Sequence, residues 1–502
     1  MLLSELTSRA GIDFVPTRDL QVTSIVPDSR RAEKNCLYIA IEGLHSDGHA
    51  YIGEAVARGA CAVVVSSAAM QSGRVDVGKY PDTQIITVEN CREASARLFS
   101  AFYGNPQEKM TLIGVTGTNG KTSVSRILYE IVTRSGEACG LIGTAGCICR
   151  GEKIEIKSSN ELANMTTPDP EELYKILAIM RDMGAKYVIM EVTSHALALN
   201  KVAPICFELA VFTNLSEDHL DFHGDMEGYY QAKKKLFAQS KSAIINCDDR
   251  YGRRLRDEIV IPRYTCSAED RAVDALATDI RYRDECAIEY KLVSHSVRLR
   301  IRTALQGKFN VMNTLEAAFA AIKLGISPIS VKESLAGFKG VDGRLERVKI
   351  NKRAEISVYI DYAHTPDALE NLLCAAHSMR HRGQRIVLLF GCGGEREREK
   401  RAIMGKIASS MADFVIVTSD NSRSEDPSEI IGEIVSGIDG DGHFTVIEDR
   451  YEAIEYAIKN ARRGDLIFLA GKGHENYEIN KDGRRDFCEK DIVCSLADKY
   501  YG

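Results

Sequence analysis

Several features are missing from this 502-residue sequence, and each absence removes a class of protein. No apolar stretch approaches the roughly 18 residues that a membrane-spanning helix requires. The opening segment, MLLSELTSRAGIDF, carries Glu5 early and has no basic leader ahead of an apolar run, so it does not read as a secretory signal. No cysteine pair has CxxC spacing; Cys147 and Cys149 form a lone CxC, too little for a zinc site. The 14 cysteines are scattered, mostly beside apolar neighbours, as at Cys36, Cys61, Cys247 and Cys374. They are expected to be reduced core thiols of a cytoplasmic protein. No basic field is present either. The formal net charge is −6, which argues against a nucleic-acid backbone as the main partner. The run Lys233-Lys234-Lys235 is short, and Lys234 and Lys235 read as a solvated helix face. There is no internal repeat and no low-complexity linker.

What is present is an ordinary globular composition, 44% hydrophobic and 27% charged, in a chain too long for one core. Short β-branched apolar runs alternate with helical patterns along nearly the whole length, which predicts an α/β fold built on parallel sheets. Three blocks emerge. Residues 1–88 hold CLYIAIEG and ACAVVVSS around the helical YIGEAVARG. Residues 89–338 begin with a helix, CREASARLFSAFYG, and continue through strands at TLIGVTG, KYVIMEV, LAVFTNL and SAIINCDD. Near their end, Tyr264 to Ile301 alternates polar and apolar residues and predicts antiparallel strands at a sheet edge. Residues 339–502 repeat the strand–helix pattern at SVYIDYA, RIVLLFGCGG, DFVIVTSDN and DLIFLAGKG.

The polar residues with chemical potential nearly all follow an apolar strand: Asn119 and Lys121, Glu191, Asp361, Arg396, Asp420 and Lys472. Open parallel sheets bind ligands at those carboxyl ends. The strongest motif is Gly117-Thr118-Asn119-Gly120-Lys121-Thr122, between a strand and a helix. Its glycines let backbone N–H groups approach phosphate oxygens, and the helix start adds positive potential. Lys121 is placed to reach β- and γ-phosphates, and the Thr122 hydroxyl to bind Mg²⁺. Val115 stands where the common phosphate loop has its first glycine. Glu191 should face this loop if its strand neighbours the loop's strand, supplying an oxygen ligand that Mg²⁺ prefers. By themselves His219 and His195 read as hydrogen-bonded loop histidines, and YYQAKKKLF as a surface amphipathic helix.

Taken in order, TGTNGKT, EVTSH, TNLSEDHLDFHGDMEGYYQAKKKLF, GKFNVMN, DGRLERV, DYAHTPDALE, FGCGGEREREKR, TSDNSRSEDP and AGKGHE resemble the motif series of the Mur ligases, and VPDSRRAEKNCLYIAIEGLHSDGH resembles their N-terminal domain. The resemblance covers essentially the whole chain. It implies three domains: a UDP-precursor-binding α/β domain, a central P-loop ATP-binding domain on a parallel sheet, and a C-terminal Rossmann-like domain that binds the incoming amino acid. It implies an ATP-dependent ligase of peptidoglycan precursor synthesis, most like members that add meso-diaminopimelate to UDP-N-acetylmuramoyl-L-Ala-D-Glu through an acyl phosphate. Lys121 and Thr122 would serve the phosphates and Mg²⁺. Glu191, His219 and a carbamylated Lys233 would complete the metal's ligands. Asn310 and Asn313 would face the adenine, Arg344 the γ-phosphate and Asp361 the ribose or nearby nucleotide. Ser29, His45, Ser46 and Asp47 would contact the uridine nucleotide. Thr166, Thr167, Thr193 and Lys201 would contact the precursor; the last two stand where the family often has Ser and Arg, and Lys201 lacks the planar fork of arginine. Closure of the third domain over the central one is expected, as is a monomer with small-molecule partners only, no nucleic acid and no embedding in a membrane.

Diaminopimelate differs from lysine by a distal carboxylate, so its site needs a cation, best a forked guanidinium. Members that use diaminopimelate carry Asp-Asn-Pro-Arg; here the run is Asp420-Asn421-Ser422-Arg423. The arginine is kept while the turn loses its proline. Arg396, Gly471 and Glu475 match other positions around the amino acid, with Glu475 suited to the distal ammonium. Alternatives remain at this level: L-lysine as substrate, with Arg423 merely a solvated loop charge; a folylpolyglutamate synthetase, which should lack the first block; or a P-loop ATPase switch, which would not need the third block's motifs.

Overall fold

The computed structural model describes residues 1–43, 46–156, 165–283, 287–440 and 443–502. Among the described residues no helix is long and apolar enough to cross a membrane. Strands build three main sheets in chain order, plus a small hairpin at Tyr477–Asn480 and Gly483–Asp486.

The first sheet is four-stranded and parallel, in sequential order: Ser24–Val26, Cys36–Ile39, Ala62–Ser66 and Gln84–Val88. AVVVS is buried at every position, as a strand covered on both faces should be. The predicted helix follows at Cys91–Phe102, where the Asn90 side chain accepts from the backbone N–H groups of Arg92 and Glu93.

The second sheet has eleven strands. The strand Thr111–Thr116 lies at its middle, between Tyr187–Glu191 and Leu209–Phe212, both parallel to it. This neighbour relation is the one that Glu191 requires, and Val115 pairs with Glu191 in register. The predicted edge is realised in part. Ala275–Arg283, Ala287–Ser294 and Arg298–Thr303 form an antiparallel meander, whereas Arg263–Ser267 runs parallel to Ala243–Asn246 and belongs to the interior. Its Cys266 is fully buried, while the meander's outer strand exposes alternate arginines and so blunts the edge.

The third sheet is doubly wound, with Leu466–Ala470 inserted between Ser357–Asp361 and Ile386–Phe390, then Phe414–Val417 and Phe444–Val446, all parallel, and a short antiparallel Glu346–Arg347 at the rim. Leu369, Leu373, Met404 and Ile434 cover one face, and Ile454, Ile458, Val493 and Leu496 the other. The order reverses beside Leu466–Ala470, which opens a crevice at the carboxyl ends of three strands. Among the described cysteines none is paired, and most are at least partly buried. Cys374 corrects the expectation of a core thiol, since it is exposed on helix Pro366–Met379, whose apolar stripe faces elsewhere through Leu369, Leu372 and Leu373.

Candidate active site

The phosphate loop turns sharply out of the central strand. Gly117 and Gly120 have φ of 152° and 84°, and helix Lys121–Arg134 starts directly after. A Cβ on Gly117 would lie 1.9 Å from Thr213 Oγ1, and one on Gly120 2.7 Å from Asn313 Oδ1, so only glycine permits this packing. Thr118 is bound to the neighbouring loop, its hydroxyl donating to the Ser216 carbonyl at 3.0 Å. Lys121 Nζ lies over the loop, donating to the carbonyls of Gly117 (2.9 Å) and Thr118 (2.8 Å). Burial lowers its pKa, against the pull of Glu191 and Asp218.

Glu191 is 1% exposed and collects three donors. These are the hydroxyls of Thr122 (2.9 Å) and Thr144 (3.0 Å) and the backbone N–H of Thr144 (2.9 Å). Beyond it, Thr167 donates to the Glu191 carbonyl at 2.9 Å, Thr166 and Thr144 share a hydroxyl contact of 3.0 Å, and Thr193 N–H donates to Thr167 at 3.0 Å. Three of the four precursor candidates are therefore linked to Glu191 through its backbone carbonyl or through Thr144, without touching its carboxylate. The fourth, Lys201, pairs with Asp169 at 2.7 Å.

Helix Met226–Ala238 turns its lysine run as predicted in part. Lys235 is exposed and Lys234 pairs with Glu258 at 2.8 Å, but Lys233 is 2% exposed and donates to the Gly117 carbonyl at 2.7 Å. Its Nζ also stands 4.6 Å from the centre of the Tyr229 ring. Burial, reinforced by Lys121, pushes this amine well below the usual lysine range. His219 adopts a left-handed backbone (φ 57°), and its ring meets that of His195 edge-on at 4.8 Å. Burial drives its pKa to about 3, so the imidazole is neutral at pH 7 and free to act as a ligand.

The third sheet's unit closes this site from above. Arg344 Nη2 donates to Thr122 Oγ1 at 3.1 Å, and its guanidinium lies 4.4 Å over the Tyr362 ring. Asp361 occupies both oxygens with backbone donors, Leu345 at 2.6 Å and Ala363 at 2.8 Å, so it shapes the turn that presents Arg344. Asn310 and Asn313 start helix Phe309–Lys323; Asn313 Nδ2 donates to Asn310 Oδ1 at 2.9 Å, against the phosphate loop. His474 reaches the Thr144 carbonyl at 3.2 Å. Sequence reasoning passed over Thr144, Asp218 and His474; of these, Asp218 and His474 lay inside quoted motifs, while Thr144 had no pattern of its own.

In the crevice of the third sheet, buried Asp420, Asn421 and Lys472 and partly exposed Glu475 form one network. Asn421 Nδ2 donates to Glu475 at 2.8 Å, Lys472 donates to Asn421 Oδ1 at 3.0 Å, and Lys472 lies 3.4 Å from Asp420. Gly471 has φ 112°, and a Cβ there would sit 2.7 Å from Asp420 Oδ2. Arg423 is half-buried with a left-handed backbone and donates to the Gly394 carbonyl at 2.5 Å. Burial and the adjacent Arg396 lower its pKa, while burial and Asp420 raise that of Glu475. Three cations, Lys472, Arg423 and Arg396, and two carboxyl groups, Asp420 and Glu475, thus gather at one place, a set suited to a zwitterionic ligand.

The uridine candidates stand apart, on the first sheet. Ser29 donates to Glu54 at 2.7 Å, and Asp47 binds His49 Nδ1 at 2.6 Å and Arg74 at 2.9 Å. Ser46 borders them, and His45 lies outside the described residues. Arg31 joins this unit to the central one through a two-pronged contact with Glu171, at 2.8 and 2.5 Å.

A phosphate loop at the centre of a parallel sheet, capped by an arginine from a separate doubly wound unit, defines a multidomain nucleotide-dependent enzyme. Residues 21–103 match the Mur ligase family catalytic domain, 115–321 the Mur ligase middle domain, and 343–473 the Mur ligase glutamate ligase domain. The chain belongs to the Mur ligase family. It is 40% identical over 483 residues to UDP-N-acetylmuramoyl-L-alanyl-D-glutamate–2,6-diaminopimelate ligase 1 of Clostridium acetobutylicum, covering 96% of both chains. It is 41% identical over 495 residues to the ligase of that name from Caldanaerobacter subterraneus subsp. tengcongensis, covering 98% of both. A solved structure of a UDP-N-acetylmuramoyl-L-alanyl-D-glutamate–2,6-diaminopimelate ligase superposes with a TM-score of 0.68 at 28% identity, covering 100% of both chains. The MurF ligase of Thermotoga maritima shares the fold, with a TM-score of 0.60 at 19% identity over 97% of this chain and 99% of that one.

Proposed function

We propose that this chain joins meso-diaminopimelate to the D-Glu γ-carboxylate of UDP-N-acetylmuramoyl-L-Ala-D-Glu at the expense of ATP, in the cytoplasm. The observation that carries this reading is the junction of Arg344, Thr122 and Glu191, where the amino-acid unit meets the phosphate loop. The names of the relatives support the choice of substrates. The first unit would hold the uridine nucleotide through Ser29, Ser46 and Asp47, the central unit ATP, and the third unit the amino acid.

A carboxylate does not acylate an amine at neutral pH, because its oxygen is a poor leaving group. Its oxygen attacks the γ-phosphorus of ATP, the bond from that phosphorus to the β–γ bridging oxygen breaks, ADP leaves, and the carboxylate becomes an acyl phosphate whose phosphate can depart. Lys121 and Arg344 stabilise the charge that spreads over the transferred group, and the loop's N–H groups hold the remaining phosphates. Thr166, Thr167 and Thr193 place the precursor beside them. The neutral amine of the amino acid then attacks the acyl phosphate, and the tetrahedral intermediate expels phosphate and loses one proton from its nitrogen to leave the amide. Docking of the third unit excludes water, which would otherwise hydrolyse the acyl phosphate.

The Thr122 hydroxyl and the Glu191 carboxylate, hydrogen-bonded at 2.9 Å, are oxygen donors of the kind Mg²⁺ takes, and the neutral imidazole of His219 would be a further ligand. When bound, Mg²⁺ would neutralise phosphate charge and orient the γ-phosphoryl group. Lys233 would join as a carbamate. A buried, weakly basic amine is the nucleophile that CO₂ requires, and the product replaces a cation with an anionic oxygen ligand. In the third unit Arg423, beside Arg396, would grip the distal carboxylate and Glu475 the distal ammonium.

The test is incubation of the purified chain with Mg·ATP, the UDP-dipeptide and either meso-diaminopimelate or L-lysine, with phosphate release followed and products weighed by mass spectrometry. An amide with diaminopimelate and little with lysine is expected. A preference for lysine would overturn the role given to Arg423. Phosphate release without either amide would overturn the ligase reading.

A further inference from the structure

Two acidic side chains of the third unit reach across to the central one, and no role above includes them. Asp367 stands in the first turn of helix Pro366–Met379, which Thr365 caps. Its Oδ2 accepts from Asn119 Nδ2 at 2.6 Å and from Ser216 Oγ at 3.1 Å. Glu397 Oε1 accepts from the backbone N–H of Leu220 at 2.8 Å, the residue after His219.

Both contacts fall on the loops that carry the phosphate and metal chemistry. Asn119 is otherwise held by its own unit: its N–H donates to Asn214 at 2.9 Å, and its carbonyl accepts from Thr213 at 2.6 Å and Asn214 at 3.1 Å. The short contact of its side-chain amide goes to Asp367. Leu220 opens a four-residue turn, Leu220–His223, whose flanking residue His219 makes no side-chain cap. Glu397 supplies from another unit an acceptor for this first N–H, one of the groups that a helix start leaves without an intrahelical partner. Carboxylate acceptors make these grips stronger than neutral ones, and their place at a polar interface keeps them reversible.

We propose that Asp367 and Glu397 are closure latches: positioning residues through which docking of the third unit sets the phosphate loop and the His219 loop in their working geometry, so that phosphoryl transfer is confined to the closed enzyme. The device has a chemical purpose. An acyl phosphate formed while the site is open would meet water, so a loop geometry completed only by closure protects it. The proposal rests on the ligase reading for its chemical purpose and its kinetic assay, while the contacts and the scattering test stand apart from it.

The experiment compares full-length Asp367→Ala and Glu397→Ala with Asp367→Asn and Glu397→Gln, which keep an acceptor oxygen. Loss of a charge-assisted contact should lower kcat by about 10-fold or more in each alanine variant, with the KM for ATP changed by no more than about 3-fold. The amide variants should recover most of the rate. Small-angle scattering with Mg·ATP and the UDP-dipeptide should give a larger radius of gyration for the alanine variants than for the wild type. Wild-type kcat in the alanine variants, equal losses in the amide variants, or identical scattering would each overturn the latch. If the wild-type protein forms no amide at all, the ligase reading fails, and the scattering comparison still decides the latch.

Discussion

Gly143 offers the sharpest test of the metal-side geometry. It ends the strand Cys139–Gly143 and has no left-handed backbone, so alanine is conformationally allowed there. The obstacle is Glu191: an added Cβ would lie 2.1 Å from its Oε1, 2.7 Å from Cδ and 2.9 Å from Cγ. A carbon and an oxygen need about 3.3 Å, so the carboxylate must retreat by about 1.2 Å. Its hydrogen bonds to Thr122 and Thr144, now 2.9 to 3.0 Å, would stretch to about 4 Å, past the hydrogen-bond limit. The side chain can swing, so overpacking should cost stability no more than about 1–3 kcal/mol. Function has no such relief, since a displacement of about 1 Å at a reacting centre costs about 100-fold in rate. Gly143→Ala should therefore remain folded, lose about 100-fold in kcat and require more Mg²⁺ for half-maximal phosphate release. A variant with kcat within about 3-fold of wild type and an unchanged Mg²⁺ dependence would refute the placement of Glu191 at the metal.

Lys233→Ala should abolish amide formation, and short-chain carboxylates added to the assay should restore part of it; unchanged activity in the variant would remove the carbamate from the mechanism. Arg423→Lys should raise the KM for diaminopimelate more than it lowers kcat, because a point charge cannot grip a carboxylate in two places; equal KM values would place the distal carboxylate elsewhere. Burial depresses His219 to about 3 and both His364 and His474 to about 4. The unfolded chain binds protons at these sites below its pKa of about 6.5 and the folded chain does not, so stability should be full above that pH and fall toward pH 4. Urea midpoints at pH 7.5 and 5 measure this; a higher midpoint in acid would contradict it.

The phosphate loop was legible because its chemistry is local: a strand, two glycines and the Lys-Thr pair all lie within a dozen residues. The buried central strands were legible for a similar reason, since Leu466–Ala470 and Tyr187–Glu191 are apolar at nearly every position. Lys233 was not. Its neighbours Lys234 and Lys235 carry the same charge and only helical phase separates them, so composition placed all three on a solvated face until the resemblance singled one out. Cys374 failed in the opposite sense, with apolar neighbours in sequence but an outward phase on its helix.

Alone, the sequence determined the α/β class, the order of the chemical motifs and the presence of an arginine in the Asp420-Asn421-Ser422-Arg423 loop, because each depends on residue type and short spacing. Only the tertiary structure decided which of these groups meet. Thr122 and Arg344 lie 222 positions apart and touch at 3.1 Å; Asn119 and Asp367 lie 248 apart and touch at 2.6 Å. Such contacts follow from strand order, from the crevice beside Leu466–Ala470 and from the docking of one unit on another. Those are set by the burial of apolar faces summed over the whole chain, a quantity that no local window contains.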